Sequence, residues 1–299
     1  MSAGVNIVVD PQKWPLKGLT NPPFHMKRLR LVAASSSEQL WRYCEPRDLA
    51  QIVVYSRKEG PLCDFNRDSK GRIRIGLNAY PDPDIPAASG SSLNDYSKMA
   101  FQLAHEFCHV IAVHSREGQR HDNRHPNHWL EESLCETASL FALRKMAVEW
   151  PQHPEYAHWT TGEGKPYAPS LQTYAQNRID SALLRVAFEE DFQAWFERRE
   201  PFLRDHPIAI EKDERVEKQL RDDYTVIATR LLPLLEVNPE SWEAVSFLNL
   251  TPHQDNKPLV EHLDEWKSAC PAQHRPFVAS LEHLFLPSNP RKAAAAVTP

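Results

Sequence analysis

Phe101-Gln-Leu-Ala-His105-Glu106-Phe-Cys-His109-Val-Ile-Ala112 is the stretch of this 299-residue chain that decides the fold. It contains neither glycine nor proline, and its apolar residues recur at helical spacing, so it predicts an α-helix. His105 and His109 are four residues apart and project from one face, with Cβ atoms about 5–6 Å apart. Both imidazoles can then bind one zinc ion with bonds of about 2.0–2.1 Å, and Glu106 lies beside them, within reach of a metal-bound water.

Trp129-Leu-Glu-Glu132-Ser-Leu-Cys-Glu136 begins a second predicted helix, Trp129–Met146. Glu132 and Glu136 are again four residues apart and share one face of that helix. A catalytic zinc site has three protein ligands and one position left for water, and two histidines with one glutamate form a known set. We therefore predict His105, His109 and Glu132 as the ligands of one catalytic Zn²⁺. Glu136 is predicted to accept a hydrogen bond from the free ring nitrogen of a ligating histidine.

These two motifs, HEFCH followed by WLEESLCE, resemble the gluzincin branch of the zincin metallopeptidases. That branch includes thermolysin and the aminopeptidases with a WLNEG-type segment. Aligning Trp129–Ser133 on that segment places the ligand at Glu132 rather than Glu131. The resemblance covers residues 98–146, and no GAMEN-like segment precedes the helix, so it does not imply recognition of a free amino terminus.

The resemblance implies a function as well as a fold, namely zinc-dependent hydrolysis of peptide bonds in a peptide or protein substrate. In this family the metal polarises the scissile carbonyl and acidifies a bound water, and the glutamate at the position of Glu106 acts as general base. A tyrosine or histidine that follows the third ligand stabilises the oxyanion. Tyr167 and Tyr174 are the candidates for that donor.

The same residues bear on three other classes of protein. A metzincin would need HExxHxxGxxH, but Ala112 and Ser115 stand where the glycine and the third histidine should be. A ferritin-like di-iron protein would need a second Glu-x-x-His pair on a bundle helix, and the available pair, Glu155 and His158, lies in a proline-rich connection. A zinc-binding scaffold without catalysis is the alternative in another functional class, although such a scaffold has no need for Glu106.

Length and composition limit the class of protein. A chain of 299 residues with 41% apolar residues can bury a large core and commonly divides into two lobes. The formal charge of −5 gives no basic footprint for nucleic acid. No apolar run approaches the roughly 20 residues that cross a bilayer, and Met1–Asp10 does not resemble a secretory signal. We therefore predict a cytoplasmic protein without a nucleic-acid partner or a membrane span, and the oligomeric state stays open.

The cysteines do not suggest a metal or disulfide framework. There are five, an odd number, and none forms a CxxC pair. Cys108 and Cys135 are expected to face away from the metal side of their helices as small buried apolar residues.

A histidine-rich segment connects the two predicted helices. Ser115–His128 contains His121, His125 and His128, whose spacing fits neither a helix face nor a zinc finger. A second metal or a substrate contact is conceivable there, but the composition favours a solvated loop.

The first hundred residues show mixed α and β patterns. Four strands are predicted from β-branched or alternating residues, at Val5–Val9, Leu29–Ala33, Ala50–Tyr55 and Arg72–Asn78. A short helix is predicted at Glu38–Tyr43, and Asn94 or Asp95 is expected to cap the active helix. In zincins the strand upstream of that helix is the sheet edge that pairs with extended substrate, so the resemblance implies this role for Arg72–Asn78. An ordinary half-buried strand is the alternative.

The second half of the chain is predicted to be helical. Apolar spacing of three to four residues predicts helices at Ser170–Glu200, Glu214–Leu235, Glu240–Leu248, Leu259–Ala269 and Pro276–Phe285. The predicted fold is therefore α+β, with a zincin-like catalytic lobe at residues 1–165 that contains a small mixed sheet and both site helices. A mostly α-helical lobe follows at residues 166–286, with the zinc cleft between the lobes and a flexible tail at residues 287–299.

Overall fold

The computed structural model describes residues 5–14, 22–44, 49–78, 96–113, 125–160, 164–184, 186, 191–207, 213–251 and 257–286. Within these ranges the chain is α+β and mostly helical, which confirms the predicted class. The helices are α1 (Pro22–Trp41), α2 (Tyr96–Val113), α3 (His128–Glu149), α4 (Ala168–Leu183), α5 (Phe192–Asp205), α6 (Glu214–Val237), α7 (Trp242–Val245), α8 (Leu259–Ala269) and α9 (Arg275–Phe285). The strands are β1 (Ile7–Val9), β2 (Ile52–Arg57), β3 (Leu62–Asp64) and β4 (Ile73–Asn78). No helix in the described ranges combines the length and the apolar composition that crossing a bilayer requires.

The strands form one mixed sheet in the order β1-β2-β4-β3. β1, β2 and β4 run parallel, and Ile52 of β2 lies opposite both Ile7 of β1 and Ile73 of β4. β3 pairs antiparallel with β4. The prediction that Arg72–Asn78 is the free edge is therefore wrong, because β4 lies between β2 and β3. The edge strand on this side of the sheet is β3, which at three residues is too short to show an alternating pattern in the sequence.

The predicted strand at Leu29–Ala33 is also wrong, because these residues lie within the 20-residue helix α1. Leu29, Val32, Ser36 and Leu40 are buried at three-to-four-residue spacing, and this face of α1 packs against α2 and α3. A short apolar run fits the period of a strand as well as that of a buried helix, so the sequence alone does not separate the two.

α2 and α3 pack against each other at the centre of the molecule. α2 lies between the β3–β4 side of the sheet and helices α1 and α3. α3 contacts α1, α2, α4, α5 and α6, and 17 of its 22 residues are buried. Polar side chains inside such a helix need specific partners, since an unpaired buried polar group is costly. The glutamates of α3 are therefore expected to be held by particular neighbours.

Three of the predicted C-terminal helices are confirmed, as α6, α8 and α9. The single predicted helix Ser170–Glu200 is wrong, because α4 ends at Leu183 and α5 begins after Asp191. The carboxylate of Asp191 caps α5 by accepting a hydrogen bond from the backbone N–H of Ala194 at 2.7 Å. Glu240–Leu248 contains one short α-helix, α7, preceded by a 3₁₀ turn.

One hydrophobic cluster extends from Val9 on β1 to Phe285 on α9. The ring of Trp129 on α3, for example, packs against Phe196 and Phe285, with centroids 5.2 and 5.3 Å apart. Residues on both sides of position 165 thus share one core. The predicted helix cap at Asn94 or Asp95 and the predicted tail at residues 287–299 lie outside the described residues.

Candidate metal centre

The polar face of α2 lines a cavity of about 430 Å³. Lys98, Gln102, His105 and His109 recur three to four residues apart and form one stripe, whereas the rest of α2 is buried in the core. The other walls come from α3, α4, α6 and the β3 edge. Glu106 also lines this cavity, so the three residues of the HExxH motif that carry its chemistry share one space.

Glu132 of α3 faces both imidazoles. Its Oε2 lies 3.2 Å from His105 Nε2, and its Oε1 lies 3.6 Å from His109 Nε2. Ligand atoms of a tetrahedral site with bonds of about 2.0–2.1 Å lie roughly 3.3 Å apart. The structure thus brings the three predicted ligands together at separations that suit one metal ion, and their role as ligands stays a prediction.

Glu131 supports His109 from behind. Its Oε1 lies 2.6 Å from His109 Nδ1, and its Oε2 accepts a hydrogen bond from Asn249 Nδ2 at 2.8 Å. With its proton on Nδ1, His109 presents the lone pair of Nε2 to the cavity, as a metal ligand must. The sequence does not reveal this role, because Asn249 is 118 residues away and the motif alignment selects Glu132.

Glu136 lies behind His105, in the direction predicted for it. Its Oε2 is 3.7 Å from His105 Nδ1, which is an ion-pair separation rather than a hydrogen bond. Its Oε1 accepts hydrogen bonds from Arg178 Nη2 at 2.8 Å and from Thr225 Oγ1 at 2.7 Å. Side chains of α4 and α6 therefore hold the carboxylate that faces His105.

The carboxylates control the charge of the imidazoles. Burial works to lower the pKa of His105, but Glu132 and Glu136 outweigh it and raise that pKa to about 10. For His109, burial acts in the same direction, and Glu132 and Glu131 raise the pKa to about 9. Burial works to raise the pKa of Glu132, but the imidazoles, led by His109, hold it well below its ordinary value. The carboxylates beside the imidazoles thus favour positive charge at this position.

Glu106 projects from α2 into the cavity and is 5% exposed. Its carboxylate accepts a hydrogen bond from the backbone N–H of Cys63 on β3. Burial raises the pKa of Glu106 above its ordinary value, and His105 and His109 offset part of that effect. A raised pKa makes the carboxylate of Glu106 a stronger base than an exposed glutamate, as a general base requires.

The two tyrosines predicted as oxyanion donors have different positions. Tyr174 lines the cavity, and its ring packs against Phe101 with centroids 5.6 Å apart. Tyr167 lies outside the cavity lining, and its hydroxyl accepts a hydrogen bond from the backbone N–H of Ser97 at 2.9 Å. The geometry thus offers no support for Tyr167 as the donor.

Tyr224 on α6 is a donor that sequence reasoning does not single out. It lines the cavity and is 3% exposed, and its hydroxyl has no hydrogen-bond partner among the described residues. Burial and the charge of nearby Glu132 raise the pKa of Tyr224 well above its ordinary value, so the hydroxyl keeps its proton. A buried hydroxyl with an unused proton beside the candidate ligands is a suitable oxyanion donor.

The histidine-rich segment before α3 differs from the prediction of a solvated loop. His125 and His128 are 5% and 2% exposed, so the prediction is wrong for these two residues. His128 is the first residue of α3, and its Nε2 lies 3.0 Å from Glu132 Oε1. Its burial follows from the enclosure of α3, which the local composition does not indicate. Residues 115–124 lie outside the described ranges.

The expectation that Cys135 faces away from the imidazoles is wrong. Its Sγ lies within 4.8 Å of a ring nitrogen of both His105 and His109. Burial, followed by a hydrogen bond with Cys108, raises the pKa of the Cys135 thiol well above its ordinary value. The carboxylate oxygens of Glu132 lie 3.2 and 3.6 Å from the Nε2 atoms of His105 and His109, and on this geometry we retain Glu132 as the third member of the set.

Comparison of the chain with protein-family models, with curated proteins and with solved structures found no significant match. The case for a metal therefore rests on the donor set itself. Two imidazole nitrogens and a carboxylate face one another, and each imidazole has a second carboxylate behind it. Nitrogen and carboxylate donors in this arrangement could hold a metal ion.

Proposed function

We propose that the protein is a zinc-dependent metallopeptidase that hydrolyses peptide bonds with Glu106 as general base. The observation that carries the proposal is the meeting of His105, Glu106 and His109 of α2 with Glu132 of α3 in one cavity. The first three residues are close together because they are close in sequence. Glu132 reaches them only because α3 packs against α2. A coincidental HExxH motif would have no reason to meet such a carboxylate.

Nε2 of His105, Nε2 of His109 and a carboxylate oxygen of Glu132 would hold the ion. When bound, zinc would polarise the scissile carbonyl and lower the pKa of water enough for attack near neutral pH. The carboxylates of Glu131 and Glu136 orient the two imidazoles and favour their ligating tautomers.

Glu106 would move the proton. One of its oxygens is fixed by the N–H of Cys63, so the carboxylate has a defined orientation in the cavity. Its raised pKa suits it to take a proton from the attacking water and to pass it to the leaving nitrogen. A silent zinc-binding scaffold would have no need for such a group.

Tyr224 would donate its hydroxyl proton to the oxyanion that develops on the substrate. Its hydroxyl is already desolvated and uses its proton for no other described group, so no existing hydrogen bond has to break. Such preorganised donors are among the largest contributions to acyl-transfer catalysis. We therefore favour Tyr224 over Tyr167 for this role.

The edge of β3 would bind extended substrate. Leu62 and Cys63 of β3 line the cavity, and Leu62 is 44% exposed. The N–H of Cys63 points toward Glu106, so this edge of the sheet faces the candidate catalytic carboxylate. Addition of a substrate strand to a free edge is a common mode of peptide recognition.

A peptide-cleavage assay with matched variants tests the proposal. Zinc-loaded wild-type protein is incubated with a mixed peptide library, and the products are identified by mass spectrometry. We expect cleavage by the wild type, and a fall of roughly 10²–10⁴-fold for Glu106→Gln with unchanged zinc content. Glu217→Gln is the control, because Glu217 is a carboxylate of the cavity wall that pairs with Arg221. The proposal fails if zinc-loaded wild type leaves every peptide intact, or if Glu106→Gln cleaves as fast as the wild type.

A further inference from the structure

His125, His128 and Glu131 form a second buried cluster beside the first. We propose that this cluster binds a second divalent transition-metal ion, such as Zn²⁺, at a closed site that stabilises the start of α3. The inference does not depend on the proposed peptidase activity, since it concerns binding alone.

The geometry places three suitable donor atoms together. One ligand atom from each of His125, His128 and Glu131 lies within 4.8 Å of the other two. The three residues are 5%, 2% and 1% exposed, so bulk water is excluded from them. Two imidazoles and a carboxylate are a donor set that zinc accepts. His128 Nδ1 and Glu131 Oε2 are 4.0 Å apart, which exceeds the roughly 3.3 Å of a closed tetrahedral site, so binding would draw these two side chains together.

Glu131 and His128 contact both candidate sites, and each of them turns a different side-chain atom toward each site. Glu131 turns Oε1 to His109 Nδ1, whereas its Oε2 lies 4.0 Å from His128 Nδ1. His128 turns Nε2 to Glu132, so its Nδ1 is directed to the second cluster. A proton on His128 Nε2, which lies 3.0 Å from Glu132 Oε1, places the lone pair of the ring on Nδ1, the nitrogen that lies toward Glu131 Oε2. Occupation of one site is thus compatible with occupation of the other.

Asn249, which is hydrogen-bonded to Glu131, carries a further buried oxygen. Its Nδ2 donates to Glu131 Oε2, and its Oδ1 is buried without a hydrogen-bond partner among the described residues. A buried amide oxygen without a donor is costly, and a cation beside it would remove that cost. The side-chain amide of Asn249 thus fixes the Glu131 carboxylate through Nδ2, and its Oδ1 is a candidate fourth ligand atom.

The surroundings close the cluster on its outer side. The ring of His262 on α8 lies 5.8 Å from that of His125 between centroids, and Asn127 donates to the carbonyl of Lys257 at 2.8 Å. These contacts join the start of α3 to the start of α8. An ion held here would therefore have a structural rather than a catalytic role, because a closed site leaves no position for substrate.

Metal stoichiometry tests the inference. Protein stripped with a chelator is reloaded with excess Zn²⁺, desalted and analysed by mass spectrometry for bound metal per chain. We expect two equivalents for the wild type, one for His125→Ala and one for His105→Ala, which touches only the first site. His153→Ala, which removes an exposed histidine, is the control and should keep two equivalents.

The inference is overturned if His125→Ala binds as many equivalents of zinc as the wild type, whichever number that is. His125→Gln is the companion variant if circular dichroism shows that His125→Ala does not fold, because it keeps a polar side chain of similar size. Failure of the peptidase proposal has a different signature, namely two bound equivalents without cleavage of any peptide.

Discussion

Tyr224 and Tyr167 are both buried, but their hydroxyls have opposite relations to the cavity. For Tyr224→Phe we expect kcat to fall by about 10²–10³-fold, because the variant lacks a donor that acts only on the developing oxyanion. Zinc content and melting temperature should stay close to the wild type, since the hydroxyl holds no described partner. Steady-state kinetics on a cleaved peptide, with metal analysis and a thermal melt, check this prediction.

Tyr167→Phe is the matched control and should show the reverse. It removes the hydrogen bond to the N–H of Ser97 at the start of α2, so stability should fall by about 1 kcal/mol while kcat changes little. If Tyr167→Phe loses activity and Tyr224→Phe does not, the assignment of the oxyanion donor must be reversed.

Glu136 has a different role, because its carboxylate lies behind a ligand. For Glu136→Gln we expect zinc to bind about 10–100-fold more weakly, since the neutral amide no longer supports His105 and leaves Arg178 without its anionic partner. Competition with a calibrated chelator measures this loss. Glu149→Gln on the same helix is the control, because Glu149 pairs with Arg42 near the surface. An unchanged zinc affinity in Glu136→Gln would show that the carboxylate serves folding alone.

Whether a residue of the site can be predicted from the sequence depends on how far away in the sequence its partners lie. His105, Glu106 and His109 are readable from the sequence because helical spacing puts them on one side of a single turn. Glu132 is suggested by its own four-residue spacing to Glu136. The contact of Glu131 with Asn249 joins residues 118 positions apart, and no local pattern encodes it. Tyr224 looks like any other apolar position on the buried face of α6.

At the scale of the elements, an ion pair between Lys257 and Glu265 ties the segment that precedes α8 to the helix itself. Burial works to raise the pKa of Glu265, but hydrogen bonds from Lys257 and Thr251 outweigh it and hold that pKa below its ordinary value of 4.5. A lowered folded-state pKa means that the stabilisation is complete above pH 4.5 and is lost as the pH falls through the folded-state value. Glu265→Gln should therefore cost about 1–3 kcal/mol at pH 7 and progressively less below pH 4.5.

Urea unfolding at several pH values measures this difference. The matched control is Asp264→Asn, because Asp264 lies on the same helix and is 63% exposed in its pair with Lys267, so its loss should cost less than about 0.5 kcal/mol. If the difference in the free energy of unfolding between wild type and Glu265→Gln does not change with pH, packing rather than charge stabilises α8.

The elements that sequence reasoning missed are those whose limits depend on tertiary contacts. The apolar residues of Leu29–Ala33 fit the period of a strand as well as that of a helix. The segment is helical because α1 packs on α2 and α3. The apolar spacing of Ser170–Glu200 continues across the break between α4 and α5, where the cap at Asp191 restarts the helix. β3 has three residues, so it becomes visible only through its pairing with β4. Long helices with an enclosed apolar stripe, such as α6, are the elements that the sequence predicts well.

At the scale of the whole molecule, the predicted boundary at residue 165 crosses a continuous core. α3 lies before the boundary, but it packs against α4, α5 and α6, which come after it. The cavity is also lined from both sides of this boundary. His105 and Glu132 come before residue 165, and Tyr174 and Tyr224 come after it. The division into lobes at residues 1–165 and 166–286 stays a prediction, and it can be tested directly.

We expect a fragment of residues 1–165 not to fold by itself. Seventeen residues of α3 are buried in the full chain, and removal of α4, α5 and α6 would expose much of this surface to water at about 25 cal/mol per Å² of apolar area. The same cut removes Arg178 and Thr225, leaving the carboxylate of Glu136 without its donors. The full chain should melt in one cooperative transition by circular dichroism, and the fragment should show no cooperative melt with or without Zn²⁺. A fragment that melts cooperatively and binds zinc would instead establish residues 1–165 as an independent lobe, in which the metal ligands need nothing from the helices that follow.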